Sequence, residues 1–200
     1  VCTRNCQFCR VEHGQVEPLE ADEPERVAEA AGRLGLKHVV ITSVTRDDLA
    51  DGGAGHFART VRAVKQRCGE VSVEVLTPDF QGQQRCLEVV CGSGPDIFNH
   101  NVETVRRLTG QIRSGADYER SLGVLSYVAR RERGPLVKSG LMVGLGEGED
   151  EVFEVLARLR EAGCQMVTIG QYLRPSAAHV PVARFVCPEE FTRYSQEAKA

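Results

Sequence analysis

A short β-branched run recurs about every thirty residues in this chain, each time followed by a stretch of helical periodicity. The runs are His38–Val44, Val71–Thr77, Asp96–Asn99, Leu136–Val143 and Gln165–Gly170. The first, with Val39, Val40 and Ile41 in succession, is expected to be buried on both faces. Helices are expected between and around the runs. One starts at a capping-box-like Asp22 and Glu25 with Pro24 in its first turn, packs Val27, Ala30, Ala31 and Leu34, and stops at Gly35. Others carry Phe57, Val61 and Val64, cover 83–90, or show Leu122, Leu125 and Ala129 along one long segment. Two more run from Glu149 to Ala162, with Val152, Val155, Leu156 and Leu159 inward, and from Pro188 onward. Strands alternating with helices give a parallel sheet with right-handed crossovers. No linker divides residues 1–200, so one domain is expected.

Composition narrows the function classes. A hydrophobic content of 42% with 26% charged residues suits a globular domain and argues against disorder. The net charge is −3, and no basic block exceeds Arg130-Arg131-Glu132-Arg133, so no electrostatic footprint for nucleic acid is present. No apolar run is long enough to span a bilayer, and no secretion signal is visible. Eight cysteines in a chain of this size read as metal chemistry in a reducing cytoplasm rather than a disulfide framework. The chain opens at Val1, which reads as a fragment trimmed at both ends.

Three of those cysteines, Cys2, Cys6 and Cys9, are spaced Cys-x3-Cys-x2-Cys with Phe8 before the last. Thiolates select zinc, copper(I) or iron–sulfur clusters. A structural zinc site normally closes with four protein ligands, and no fourth ligand follows at close range, His13 lying beyond the loop. Three ligands suit a cluster with one iron left open. A partial zinc site in a non-enzymatic α/β module is the alternative.

This spacing resembles the signature of the radical S-adenosylmethionine (SAM) superfamily, and the wider string CTRNCQFCRVEHG resembles the lipoyl synthase family. The strings VVITSVTRDDLADGGAGHF, VEVLTPDFQG, FNHNVET, KSGLMVGLGE and TIGQYLRPS are similar to that family in the same order. The resemblance implies a partial (β/α)6 TIM-type barrel with five parallel strands visible and the first strand missing. It also implies a 4Fe–4S cluster on Cys2, Cys6 and Cys9, with SAM chelating the open iron. One electron passed into the sulfonium would release a 5′-deoxyadenosyl radical, which abstracts hydrogen from a protein-bound octanoyl chain so that sulfur can be inserted. Such C–H bonds are beyond polar side-chain chemistry, so a cofactor must supply the radical. Biotin synthase and methylthiotransferase types are the enzymatic alternatives.

Polar clusters end every strand run, where α/β barrels collect their working residues. Taken singly, Arg46-Asp47-Asp48 could be a solvated loop and Asn99-His100-Asn101 a helix cap. With the cysteine loop, the expectation is that Phe8, Ser43, Thr45, Asn101, Glu103, Gly144, Glu147 and Tyr172 form the SAM pocket. Arg46, Asp48, His100 and Arg174 are assigned to the substrate side. Gly144-x-Gly146-x-Gly148 opens a helix, but Glu147 and Glu149 would repel a phosphate. Gly140-x-Met142-x-Gly144-x-x-Glu147 is instead similar to the superfamily's adenine-flanking strand.

The resemblance further implies an auxiliary 4Fe–4S cluster that donates sulfur, held by three upstream cysteines and a C-terminal serine. Its ligands are expected outside Val1–Ala200, because Cys86-x4-Cys91 would place a third ligand on Ile97. Cys86, Cys91 and Cys164 read as buried small hydrophobes, and Cys68 and Cys187 carry no assignment. The implied partners are an octanoylated lipoyl carrier domain (an E2 subunit or glycine-cleavage H protein type) and a reductant such as flavodoxin or ferredoxin, with neither nucleic acid nor membrane.

Overall fold

The computed structural model describes residues 1–199. Five parallel strands lie side by side in chain order: β1 (His38–Thr42), β2 (Ser72–Leu76), β3 (Ile97–Asn99), β4 (Leu136–Val143) and β5 (Met166–Gln171). Around them run α1 (Glu23–Arg33), α2 (Ala54–Cys68), α3 (Gln84–Cys91), α4 (Arg106–Ile112), α5 (Tyr118–Ala129), α6 (Glu149–Glu161) and α7 (Pro188–Lys199). Successive helices pack on one another, α1 on α2, α2 on α3, α3 on α5, α5 on α6 and α6 on α7. Strand order that follows chain order, with neighbouring helices in contact, is barrel-type winding rather than a doubly wound sheet. The arc is open, since β1 pairs only with β2 and β5 only with β4 among the described residues.

The two faces of the sheet differ in chemistry. Val39, Ile41, Val73, Val75, Phe98, Val137 and Val143 are buried toward the helices. The opposite face carries His38, Glu74, Asn99 and Lys138 in adjacent register positions. Lys138 Nζ lies 2.9 and 3.1 Å from the two Glu74 carboxylate oxygens, and Asn99 Nδ2 donates to Glu74 at 2.8 Å. The arc therefore has an apolar shell and a polar inner layer.

Four local expectations are corrected. β1 is not buried on both faces: its burial alternates, and Val40 is half exposed, because an edge strand on an open arc has its inner face uncovered. Asp22 makes no side-chain cap; its carboxylate pairs with Arg26 one turn on. The buried stripe of α1 is Pro24, Ala28 and Ala31, whereas Leu34 lies past the last turn and is exposed. The single long segment is two helices, α4 and α5, separated by a left-handed Gly115 and restarted by Asp117, which accepts from the Arg120 N–H at 2.6 Å. No helix among the described residues is long and apolar enough to cross a membrane.

Candidate active site

The cysteine loop is laced onto the carboxyl ends of the strands. The Cys2 N–H donates to Glu12 O at 2.7 Å and the Gly14 N–H to Cys2 O at 3.1 Å, folding residues 1–14 into a closed turn. Thr3 donates through both its N–H and its Oγ1 to Thr45 O, just beyond β1. The Gln7 N–H reaches Ile112 O at the end of α4 at 2.8 Å. From the other edge of the sheet, the Val180 N–H donates to Gln7 O, and His179 Nε2 lies 3.0 Å from Cys9 O. The loop thus touches segments that follow β1, β3 and β5, and a change in barrel curvature would move its thiols.

Cys2, Cys6 and Cys9 are free, partly exposed, and line one cavity of about 510 Å³. Thr42 and Leu76, the last residues of β1 and β2, are in its wall. Phe8, Ser43, Thr45, Asn101 and Glu103 also line it, so five of the expected SAM-pocket residues gather around the thiols. Burial pushes the Cys6 thiol upward, while Arg113 and a backbone contact with Ser114 pull it down. The Arg4 N–H points at Cys2 Sγ at 3.4 Å.

A bulge after β3 aims Asn101 and Glu103. The N–H of His100 pairs with Lys138 O, but the next bond to β4 comes from Glu103 to Gly140 O, one residue later than a regular ladder allows. Glu103 absorbs the extra residue at φ 66°, a costly conformation for a side chain other than glycine. Gly140 makes the room: a Cβ there would stand 2.8 Å from Asn101 Oδ1 and from Thr168 Oγ1. Burial raises the Glu103 carboxyl, opposed by Arg113 and Asn101. Arg113 is itself buried in the cavity wall, with Nη1 donating to Val102 O and Ser121 Oγ at 3.1 Å each.

The other expected residues are engaged elsewhere. Glu147 is buried and accepts from the Gly144 and Leu145 N–H groups at 2.6 and 2.9 Å, closing the turn after β4. Gly144 (φ 96°) holds the strap 182–186, its carbonyl accepting from the Ala183 N–H. Tyr172 donates its buried hydroxyl to Val180 O at 2.8 Å, which seats the loop that reaches Gln7. Arg46 pairs with Asp48 and faces a separate cavity of about 340 Å³ against α1 and α2. Arg174 is exposed and binds the carbonyls of Ala177 and His179, ordering its own loop. His100 is fully buried, its Nδ1 2.9 Å from Thr77 O and its Nε2 3.1 Å from Ser121 Oγ; burial and Arg113 push its pKa down to about 4. For Gly144, Glu147, Tyr172, Arg46, Asp48 and Arg174 the structure gives supporting contacts outside the thiol cavity. His100 touches the cavity wall with both ring nitrogens occupied.

Sequence reasoning missed Arg4, Asp79 and Arg113. Charged residues in loops look solvated in a sequence; only the fold shows them buried beside the thiols. The donor set fits an iron–sulfur cluster: three soft donors, one of them beside a buried cation, share the wall of one cavity. Among the described residues, no three of His, Cys, Asp and Glu converge on a position suited to a single metal ion. A four-iron cube is larger than one ion and needs its thiolates farther apart.

The structure is thus an open parallel barrel with three free thiols gathered at the carboxyl ends of its strands. The chain matches the Radical SAM superfamily over residues 1–159. Lipoyl synthases of Caldanaerobacter subterraneus subsp. tengcongensis and Alkaliphilus metalliredigens are 57% and 54% identical, each over 98% of this chain and over 69% and 68% of their own lengths. That of Thermus thermophilus is 52% identical over 97% of this chain and 61% of its own length. Among solved structures, methylornithine synthase (PylB) superposes with a TM-score of 0.69 at 16% identity, covering 98% of this chain and 60% of that one. SuiB of Streptococcus suis bound to S-adenosylmethionine gives 0.72 at 14% identity, covering 99% and 44%. These two likenesses speak to the fold. The chain belongs to the lipoyl synthase family of the radical SAM superfamily, and it spans between 61% and 69% of the length of these relatives.

Proposed function

We propose that this chain is the core of a sulfurtransferase that holds a 4Fe–4S cluster on Cys2, Cys6 and Cys9, binds SAM and cleaves it reductively. The observation that carries the reading is the single cavity shared by those three thiols and by Phe8, Ser43, Thr45, Asn101 and Glu103. When bound, the cluster supplies the electron that splits the sulfonium. The protein's share is to place the reactants and keep water away. Phe8, Val44 and Leu76 give the cavity its apolar wall. Asn101 and Glu103, aimed inward by the bulge, offer polar atoms suited to a ribose or an amino group. Arg113 offers buried positive charge to a carboxylate.

The substrate we assign is an octanoyl chain on a lipoyl carrier domain, of the E2 subunit or H protein type, with flavodoxin or ferredoxin as the reductant in the cytoplasm. Sulfur insertion also needs a sulfur donor, which the family likeness assigns to an auxiliary cluster. Cys86 and Cys91 are buried in α3, Cys68 ends α2, and Cys164 and Cys187 lie in connecting segments; we assign none of them to that second cluster. The step we assign to these residues is cluster binding and SAM cleavage. The test is 5′-deoxyadenosine release by the reduced, reconstituted chain. Cys6→Ala is expected to abolish it, and release retained in that variant sinks the proposal.

A further inference from the structure

Between the first two thiols the loop carries an arginine whose side chain is only 8% exposed. Its guanidinium is almost saturated by two carboxylates. Nε and Nη2 donate to Asp47 at 2.7 and 3.0 Å, and Nη1 and Nη2 donate to Asp79 at 3.0 and 2.8 Å. Asp47 follows β1 and Asp79 follows β2, so one side chain ties the loop to two strand ends. Both acids have further support: Arg120 of α5 donates to Asp79 at 3.0 Å, and Gln81 Nε2 to Asp47 at 3.2 Å. The Asp79 side chain is wholly buried.

We propose that Arg4 is a positioning residue for the cluster, clamping the segment between Cys2 and Cys6 so that these thiols keep their spacing before metal arrives. This rests on the reading of the three thiols as cluster ligands. Two physical effects make the clamp more than a surface ion pair. A planar fork that meets two carboxylates in bidentate fashion fixes orientation as well as distance. The second effect is electrostatic. Cluster thiolates are anionic, and without Arg4 the loop would sit between them and two carboxylates. Arg4 and Arg120 balance the charges of Asp47 and Asp79 beneath the loop. Lysine at position 4 would keep the charge but lose the double fork.

The experiment is anaerobic reconstitution of the full chain as wild type, Arg4→Lys, Arg4→Ala and Asp79→Asn, with Arg26→Ala as a control in an exposed ion pair. Two readouts are taken: the half-life of the brown cluster under an iron chelator, and the alkylation rate of Cys6 in the metal-free chain. Arg4→Ala is expected to lose its cluster about tenfold faster or more, on the scale of outer-shell changes at metal sites. Arg4→Lys falls between it and wild type, and Arg26→Ala matches wild type. Cys6 alkylation is expected to rise in the same order. Should Arg4→Ala fail to fold, Arg4→Lys and the near-isosteric Asp79→Asn still decide the matter. Cluster lifetimes and alkylation rates unchanged across all variants overturn the clamp. If wild type takes up no cluster, the ligand reading fails by itself, and the alkylation rates alone decide the clamp.

Discussion

Glu74 on β2 and Lys138 on β4 meet across the intervening strand, with Nζ within 2.9 and 3.1 Å of both carboxylate oxygens. Asn99 of β3, between them, donates to the same carboxylate at 2.8 Å, so three strands are tied together on the inner face. Glu74 is 3% exposed. Removing one partner strands the other charge, so Lys138→Met is expected to cost about 3 kcal/mol in urea unfolding. Replacing both residues with leucine is expected to recover most of that loss.

Asp79 governs stability in acid. Burial alone would raise its carboxyl, but Arg4 and the Gln81 N–H bring it down to about 2. A depressed carboxylate contributes stability above its unfolded pKa, near 4, and loses it as pH falls through the folded value. The loss between pH 4 and about 2 is expected to be about 2 kcal/mol, read by urea melts across that window. Asp79→Asn should be less stable near neutrality and should lose the slope belonging to this group.

His100 is expected to stay neutral throughout the working range. Its folded pKa of about 4 lies below the unfolded value near 6.5, so the unfolded chain binds the extra proton first. Stability from this residue is complete above the unfolded value and declines toward the folded one. Imidazole NMR shifts that titrate near pH 6.5 in the folded chain would contradict the burial described here. His100→Ala should cost about 2 kcal/mol or more, because Ser121 Oγ and Thr77 O lose their shared partner.

Gly144 tests the strap over the far end of β4 and β5. A Cβ there would lie 2.3 Å from Gln171 Nε2 and 2.6 Å from Arg184 O, at a φ of 96°. Gln171 also binds the Val186 N–H at 2.8 Å, so the side chain that would clash is the one holding the strap. Gly144→Ala is expected to destabilise by about 2 kcal/mol. Faster hydrogen exchange over 182–187 would show that the strap has lifted.

The alternation of β-branched runs and amphipathic stretches made the parallel barrel legible before any coordinate. The grouping of Cys2, Cys6 and Cys9 was equally legible, because the three thiols are local in sequence. What stayed hidden was long-range or subtractive. Val40 looks like core until β1 is found at an edge. Arg4 and Asp79 are 75 positions apart, and no local pattern pairs them. The strand-end rule brought Glu147 and Tyr172 to the correct end of the barrel. Both place their polar atoms on backbone, which only the hydrogen bonds disclose.

Iron and sulfide counted on the anaerobically reconstituted chain, followed by electron paramagnetic resonance of its reduced form, tests the central claim most directly. About four iron and four sulfide per chain are expected, with a signal that changes when S-adenosylmethionine is added, since one iron is left open to it. A colourless chain holding a single zinc, or a cluster whose signal ignores S-adenosylmethionine, would contradict it.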